Sequence, residues 1–169
     1  MLFRSLELGR ELRWHPEHMR SRYESWVEGL NGDWCISRQR FFGVPFPVWY
    51  PLDAHGEPRY DAPLLPGEDR LPVDPSNDVP DGYTADQRGI PGGFIGDPDV
   101  MDTWATSSVS PEIAARWEDD PDLFARVFPM DLRPQAHDII RTWLFYTVLK
   151  SELAHGTLDR KSTRLNSSH

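Results

Sequence analysis

The residues best placed for chemistry lie in the run Arg133-Pro134-Gln135-Ala136-His137-Asp138, where an extended segment meets the start of a long apolar stretch. In open α/β sheets ligands bind beyond the carboxyl ends of the strands, where the free N–H groups and positive dipole end of the next helix favour anionic groups. Asp138 suits that position in two ways, as a helix cap or as a contact to a ribose hydroxyl. His137 beside it has no nucleophile near it in sequence to activate, so it reads as a packed or solvent-facing residue rather than an acid–base group. Ile139 and Trp143 are four residues apart, which places them on one face of a helix, either as the wall of an apolar pocket or as ordinary core. Trp104, in Asp99-Val100-Met101-Asp102-Thr103-Trp104, is open to the same two readings.

Other groupings exclude more than they suggest. His15 and His18 flank Pro16-Glu17 but lack the four-residue spacing and third ligand of a helical zinc site. Gly92-Gly93-Phe94-Ile95-Gly96 has neither the Lys-Ser/Thr of a phosphate-binding loop nor a following helix, and reads as a flexible loop. With Cys35 as the single cysteine there is no internal disulfide and no multi-thiolate metal site. No metal site is expected, and no residue stands out as a chemical acid, base or nucleophile.

The elements that must position these residues follow from apolar periodicity. Met19, Tyr23, Trp26, Val27 and Leu30 recur at helical spacing over 17–30, with Asn31-Gly32 as a stop. Short aromatic segments at 34–37 and 44–50 read as strands, the second an edge strand or extended loop because Pro45 and Pro47 cannot donate to a ladder. Residues 51–100 hold nine of the sixteen prolines and seven of the twelve glycines, the mark of a turn-rich insertion. Helices are expected over 111–117 and 123–127, a strand over 129–133, and one long, largely buried helix over 138–153. A strand feeding a buried helix points to an α/β layer fold. The expected divisions are 1–50, the insertion 51–96, an α/β part 97–158, and a polar tail 159–169, Asp-Arg-Lys-Ser-Thr-Arg-Leu-Asn-Ser-Ser-His. That tail shows no core position, resembles translated vector sequence and is set outside the fold.

Composition bounds the class. Hydrophobic residues at 38% and aromatics at 12%, with seven tryptophans, are globular values. A net charge of −9 argues against a broad basic surface for polyanions while leaving room for a local RNA contact. No apolar run approaches the roughly 20 residues of a membrane span, and the first residues lack the apolar core of a signal peptide, so a cytoplasmic protein without membrane contact is expected.

Three blocks then carry a family resemblance. Trp34-Cys35-Ile36-Ser37-Arg38-Gln39-Arg40-Phe41-Phe42-Gly43-Val44-Pro45, Asp99-Val100-Met101-Asp102-Thr103-Trp104, and His137-Asp138-Ile139-Ile140-Arg141-Thr142-Trp143 resemble, in order, segments of the valyl-tRNA synthetases, class I aminoacyl-tRNA synthetases. Ala105-Thr106-Ser107-Ser108 is similar to the archaeal-type subgroup, some of whose members occur in bacteria. The resemblance covers roughly 1–158 and implies an α/β fold, the second half of a class I Rossmann-type nucleotide-binding catalytic domain carrying the Pro/Gly-rich insertion.

By that resemblance Trp104, Ile139 and Trp143 line the pocket for the valine side chain, while Gln135, His137 and Asp138 belong to the adenylate-binding region. The resemblance implies ATP with Mg2+, valine and tRNA(Val) as the parent enzyme's substrates, and no protein partner. The H-I-G-H-type and K-M-S-K-S signatures that handle ATP in this family do not occur in the sequence, so an inactive fragment holding no cofactor by itself is expected. The rivals are an isoleucine- or leucine-specific relative, distinguished by the pocket residues, and a non-catalytic binding module built on the same core.

Overall fold

The computed structural model describes residues 2–166. Its contacts divide the chain into two units, 1–34 with 103–169, and 35–102. The expected boundary at 50 therefore shifts: residues 35–50 belong with the turn-rich insertion, because their strands pair with strands on its far side.

In the first unit, α1 (Leu2–Glu11) leads into β1 (Arg13–His15) and α2 (Met19–Glu28). Tyr23 and Val27 of α2 are fully buried, as the helical periodicity requires, and the helix closes at Gly29, two residues before the expected Asn31-Gly32 stop. Gly9 sits where a β-carbon would lie 2.4 Å from the Tyr23 ring, so α1 and α2 meet this closely only because that position has no side chain. The Tyr23 hydroxyl donates to the Ser5 carbonyl at 3.0 Å, and burial holds its pKa above the ordinary tyrosine value.

The same unit continues with α3 (Thr103–Ser107), α4 (Ser110–Ala114), α5 (Pro121–Val127), β6 (Met130–Ala136), a 3-10 turn over His137–Ile140, α6 (Trp143–His155) and β7 (Arg160–Asn166). Asp120 caps α5 by accepting from the Leu123 N–H at 3.0 Å, and Pro121 fits the first turn, which starts this helix before the expected position 123. At the other end of α6, Gly156 adopts φ 66°, the left-handed closure that favours glycine. Leu144, Phe145 and Val148 of α6 join Leu8, Leu12, Trp14, Tyr23, Val27 and Ile140 in one apolar core, each large side chain contributing on the order of 2 kcal/mol by burial.

The sheet of this unit is parallel, in the order β1-β7-β6. Parallel neighbours β6 and β7 are joined through α6, the β-α-β crossover expected of an α/β fold. The central strand is β7, which lies in the tail that the sequence pattern set outside the fold, and this expectation is corrected. Thr163 and Leu165 are buried, while Lys161 and Arg164 are exposed. Burial along β7 does not alternate strictly: Arg160 and Thr163, three apart and so on opposite faces, are both buried, as suits a central strand, and neither is an apolar residue that a hydrophobic pattern registers.

The charges of this junction are paired. The buried Asp159 carboxylate accepts from Arg133 of β6 at 2.6 Å and from Arg160 at 2.9 Å, while the Met130 N–H donates to the Asp159 carbonyl at 2.8 Å.

In the second unit β2 (Ser37–Arg38) pairs antiparallel with β5 (Val100–Met101), and β3 (Trp49–Pro51) with β4 (Phe94–Gly96). The prolines confine the second expected strand to Trp49–Pro51. Trp49 and Phe94 are fully buried; the Trp49 indole donates to the Asp78 carbonyl at 3.1 Å and the Arg88 guanidinium lies 4.9 Å from the Phe94 ring centre. Around them the turns are closed by aspartates, Asp53 accepting the N–H groups of His55 and Glu57, and Asp74 that of Ser76. Those backbone donors hold both carboxyls below the ordinary aspartate range.

Replacing Asp159 by Asn strands two buried guanidiniums and is expected to cost this chain about 3–5 kcal/mol in urea unfolding. Lys161→Ala removes only the exposed pair with Asp131 and is expected to cost less than about 1 kcal/mol in the same measurement.

Candidate functional site: the α3–α4 cleft beside Trp143

β6 delivers the chain to the junction that the sequence marks for ligands. Arg133 and Gln135 are both buried. Gln135 accepts from the Arg160 guanidinium at 3.1 Å, and its amide nitrogen is buried without a hydrogen-bond partner. The side chain of Gln135 is thus turned onto β7 rather than outward. Ala136 occupies the position before the 3-10 turn and makes no side-chain cap. Asp138 lies in the first turn and is exposed, with its carboxylate at the positive end of a very short helix; it is not the cap itself. His137 is half-buried.

The long helix expected over 138–153 is two elements. The 3-10 turn ends at Ile140, Thr142 departs from helical geometry (φ −109°, ψ −86°), and α6 starts only at Trp143. Ile139 and Trp143 therefore do not stack on one continuous helix face. A 3-10 turn and an α-helix put apolar residues at nearly the same short spacing, so periodicity over four residues cannot separate them. Ile139 is half-buried within the turn, and Ile140 is its fully buried member.

Trp143 is fixed from two sides. Its indole N–H donates to the Ser107 carbonyl at 2.9 Å and to the Ser110 hydroxyl at 3.1 Å, and that hydroxyl itself donates to the Ser107 carbonyl at 2.6 Å. The Arg133 guanidinium lies 4.0 Å from the centre of the indole ring, a cation over a π face. Two turns further along the same face of α6, the Lys150 ammonium donates to the Ala105 carbonyl in the last turn of α3, where a cation is favoured. Burial pushes the Lys150 pKa down and that of Arg133 to about 10.

Those contacts bring α6 to an open cleft of about 360 Å³ lined by Thr103, Trp104, Thr106, Ser107, Ser110 and Ile113. Trp143, from a distant part of the sequence, thus bonds to two serines that line the cleft with Trp104. Of the three residues expected at the side-chain pocket only Trp104 lines this cleft; Ile139 and Trp143 are not among its lining residues. Neither serine was marked by the sequence; the only available signal was their position just after the Asp-Thr-Trp block.

Within the second unit the first two sequence blocks are joined directly. Arg38 forms an ion pair with Asp102 and donates to the Cys35 and Ser37 carbonyls at 2.7 Å, and the Asp102 N–H donates to the Ile36 carbonyl at 2.7 Å. Ser37 holds the exposed Cys35 thiol below its ordinary pKa by hydrogen bonding. Among the described residues no group of three His, Cys, Asp or Glu side chains is placed to hold a metal ion, and no helix is long and apolar enough to cross a membrane.

The family model for the class I tRNA synthetases (I, L, M and V) matches residues 2–157. The chain belongs to the class I tRNA synthetases. Among similar proteins, the valine–tRNA ligase of Thermobifida fusca is 70% identical over 161 residues, 95% of this chain and 18% of that protein. The valine–tRNA ligase of Cutibacterium acnes is 66% identical over the same share of each. The chain thus spans about a fifth of the length of these relatives. Two solved structures share the fold at low identity. They are the LeuRS of Agrobacterium radiobacter K84 in ternary complex with tRNA and LeuAMS (TM-score 0.57, 19% identity, 79% of this chain and 19% of that one) and the methionyl-tRNA synthetase of Mycobacterium tuberculosis bound by methionyl-adenylate (TM-score 0.53, 20% identity, 96% and 24%). The α/β unit of this class I tRNA synthetase segment is accordingly part of the catalytic fold.

One buried group in the synthetase segment has an unmet need. Glu112 is 2% exposed, one carboxylate oxygen has no hydrogen-bond partner, and the other is 3.9 Å from His155, whose ring is boxed by Trp117, Phe124 and Phe128. Burial raises the Glu112 pKa. A raised folded-state carboxyl favours the fold at low pH and loses that contribution as pH rises from the unfolded value through the folded one. Glu112→Gln is therefore expected to raise Tm at pH 8, with the gain fading as the pH approaches the ordinary carboxylate range in thermal unfolding scans.

Proposed function

We propose that this chain is part of a valine–tRNA ligase, a cytoplasmic enzyme that activates valine with ATP and transfers it to tRNA(Val), and that it contributes the wall of the active site that reads the amino-acid side chain. The observation that carries this reading is the 70% identity to a valine–tRNA ligase across nearly the whole chain. The geometry supports it, because the Trp143 indole is bonded to Ser107 and Ser110, which line a cleft with Trp104. Valine offers only branched methyls, so a rigid apolar wall is the physically sensible reader. Such a wall discriminates weakly against an isostere bearing a hydroxyl, a limit for which valine–tRNA ligase against threonine is itself a standard example.

Trp104 and Trp143 are the proposed side-chain contacts, with Ile139 at the margin. Asp138 and His137 are the proposed adenylate-side residues, with Gln135 acting from β6 behind them. Mg2+ enters with ATP, since it keeps several waters and binds through substrate phosphates rather than in an all-protein cage. No residue here acts as acid, base or nucleophile. The contribution is positioning, which is where much of the barrier lowering in such a reaction arises.

The test is valine-dependent ATP–pyrophosphate exchange. The complete ligase containing this segment is expected to exchange with valine in preference to isoleucine and leucine. The 169-residue chain alone is expected to show no exchange, and preference for another amino acid by the complete enzyme would refute the assignment.

A further inference from the structure

Trp143 is held by more than packing, and what holds it has a consequence for selectivity. The indole N–H is bonded to the Ser107 carbonyl and the Ser110 hydroxyl at once, while Arg133 lies over its face at 4.0 Å. Ser110 lines the cleft with Trp104, and it also donates to the Ser107 carbonyl, so one hydroxyl ties the indole edge to the cleft lining. Arg133 is buried and held by Asp159 at 2.6 Å, which fixes the plane that rests on the ring. A half-buried indole without an N–H partner or a covering plane would have two free torsions and would sample several rotamers.

We propose that Ser110 and Arg133 are positioning residues that lock the Trp143 indole and thereby set the size limit of the amino-acid side-chain pocket, excluding a side chain one methylene larger than valine. The proposal rests on the reading that Trp143 lines that pocket. A pocket wall that reads only methyl groups gains its selectivity from where its atoms sit. Displacement of the ring by a fraction of an ångström gives up dispersion contact with the correct side chain and opens room for a larger one. Ser110 acts on the ring through its edge and Arg133 through its face.

The experiment measures kcat/KM for valine and for isoleucine in ATP–pyrophosphate exchange by the complete ligase containing this segment, in parallel with KM for ATP. The ratio of the two amino acids does not depend on how much of the enzyme is folded, so a loss of stability cannot mimic the effect. Ser110→Ala is expected to lower the valine-to-isoleucine ratio by about three- to tenfold, the range for one lost hydrogen bond, with KM for ATP unchanged. Ser110→Thr keeps the hydroxyl and is expected to restore the ratio. Arg133→Lys keeps the charge for Asp159 but loses the planar face over the ring, and is expected to lower the ratio similarly. If Trp143→Leu changes the ratio but Ser110→Ala and Arg133→Lys do not, the positioning role is overturned while the pocket assignment stands. If Trp143→Leu leaves the ratio unchanged, both are overturned.

Discussion

The α/β unit is organised around one requirement, the compensation of buried charge. Arg133, Asp159 and Arg160 are all removed from water, and each isolated ion would cost several kcal/mol there. One carboxylate serving two guanidiniums meets most of that cost, and it can do so only with β6 and β7 side by side in the observed register. Everything nearer the cleft follows. Arg133, immobilised by Asp159, presents its flat face to Trp143; Trp143, immobilised by Arg133, reaches Ser107 and Ser110; and these two residues line the cleft with Trp104. The net excess of positive charge in the trio is accompanied by Glu112, which is near enough to both Arg133 and Asp159 to feel their fields.

This dependence explains which parts of the fold were legible in the sequence. The helix at 19–28, the insertion, the helix after Asp120 and the strand at 130–136 follow rules that act within a few residues: apolar spacing, capping, and the inability of proline to donate. The strand β7 was hidden because its buried members include Arg160 and Thr163, whose partners Asp159, Gln135 and the Arg133 carbonyl lie on other strands or at the strand entrance. An apolar pattern cannot register a core position filled by a paired ion. The break at Thr142 was hidden for a different reason. No glycine or proline marks it, and the turn before it keeps a helix-like spacing of apolar residues.

The candidate site divides in the same way. Trp104, Trp143, His137 and Asp138 were visible because they lie in recognisable blocks. Ser107 and Ser110 did not stand out, because a serine on a short helix has many equivalent uses, and only the approach of Trp143 from a distant part of the sequence selects one. The pairing of Arg38 with Asp102 shows the same limit in the second unit. Both residues stood in family-like blocks, yet their mutual contact depends on the antiparallel pairing of Ser37–Arg38 with Val100–Met101, which no local signal encodes.

A site that distinguishes aliphatic side chains needs rigidity more than chemical functionality, and apolar residues are poor at providing rigidity for one another. Dispersion contacts are weak singly and tolerate small slides, so a ring held only by aliphatic neighbours keeps some freedom. Hydrogen bonds and ion pairs are directional and costly to break once water is excluded. The arrangement around Trp143 uses that difference: its single polar atom and one of its faces are committed to Ser107, Ser110 and Arg133. Buried polar groups that would be a liability in an ordinary core therefore give the indole a single orientation.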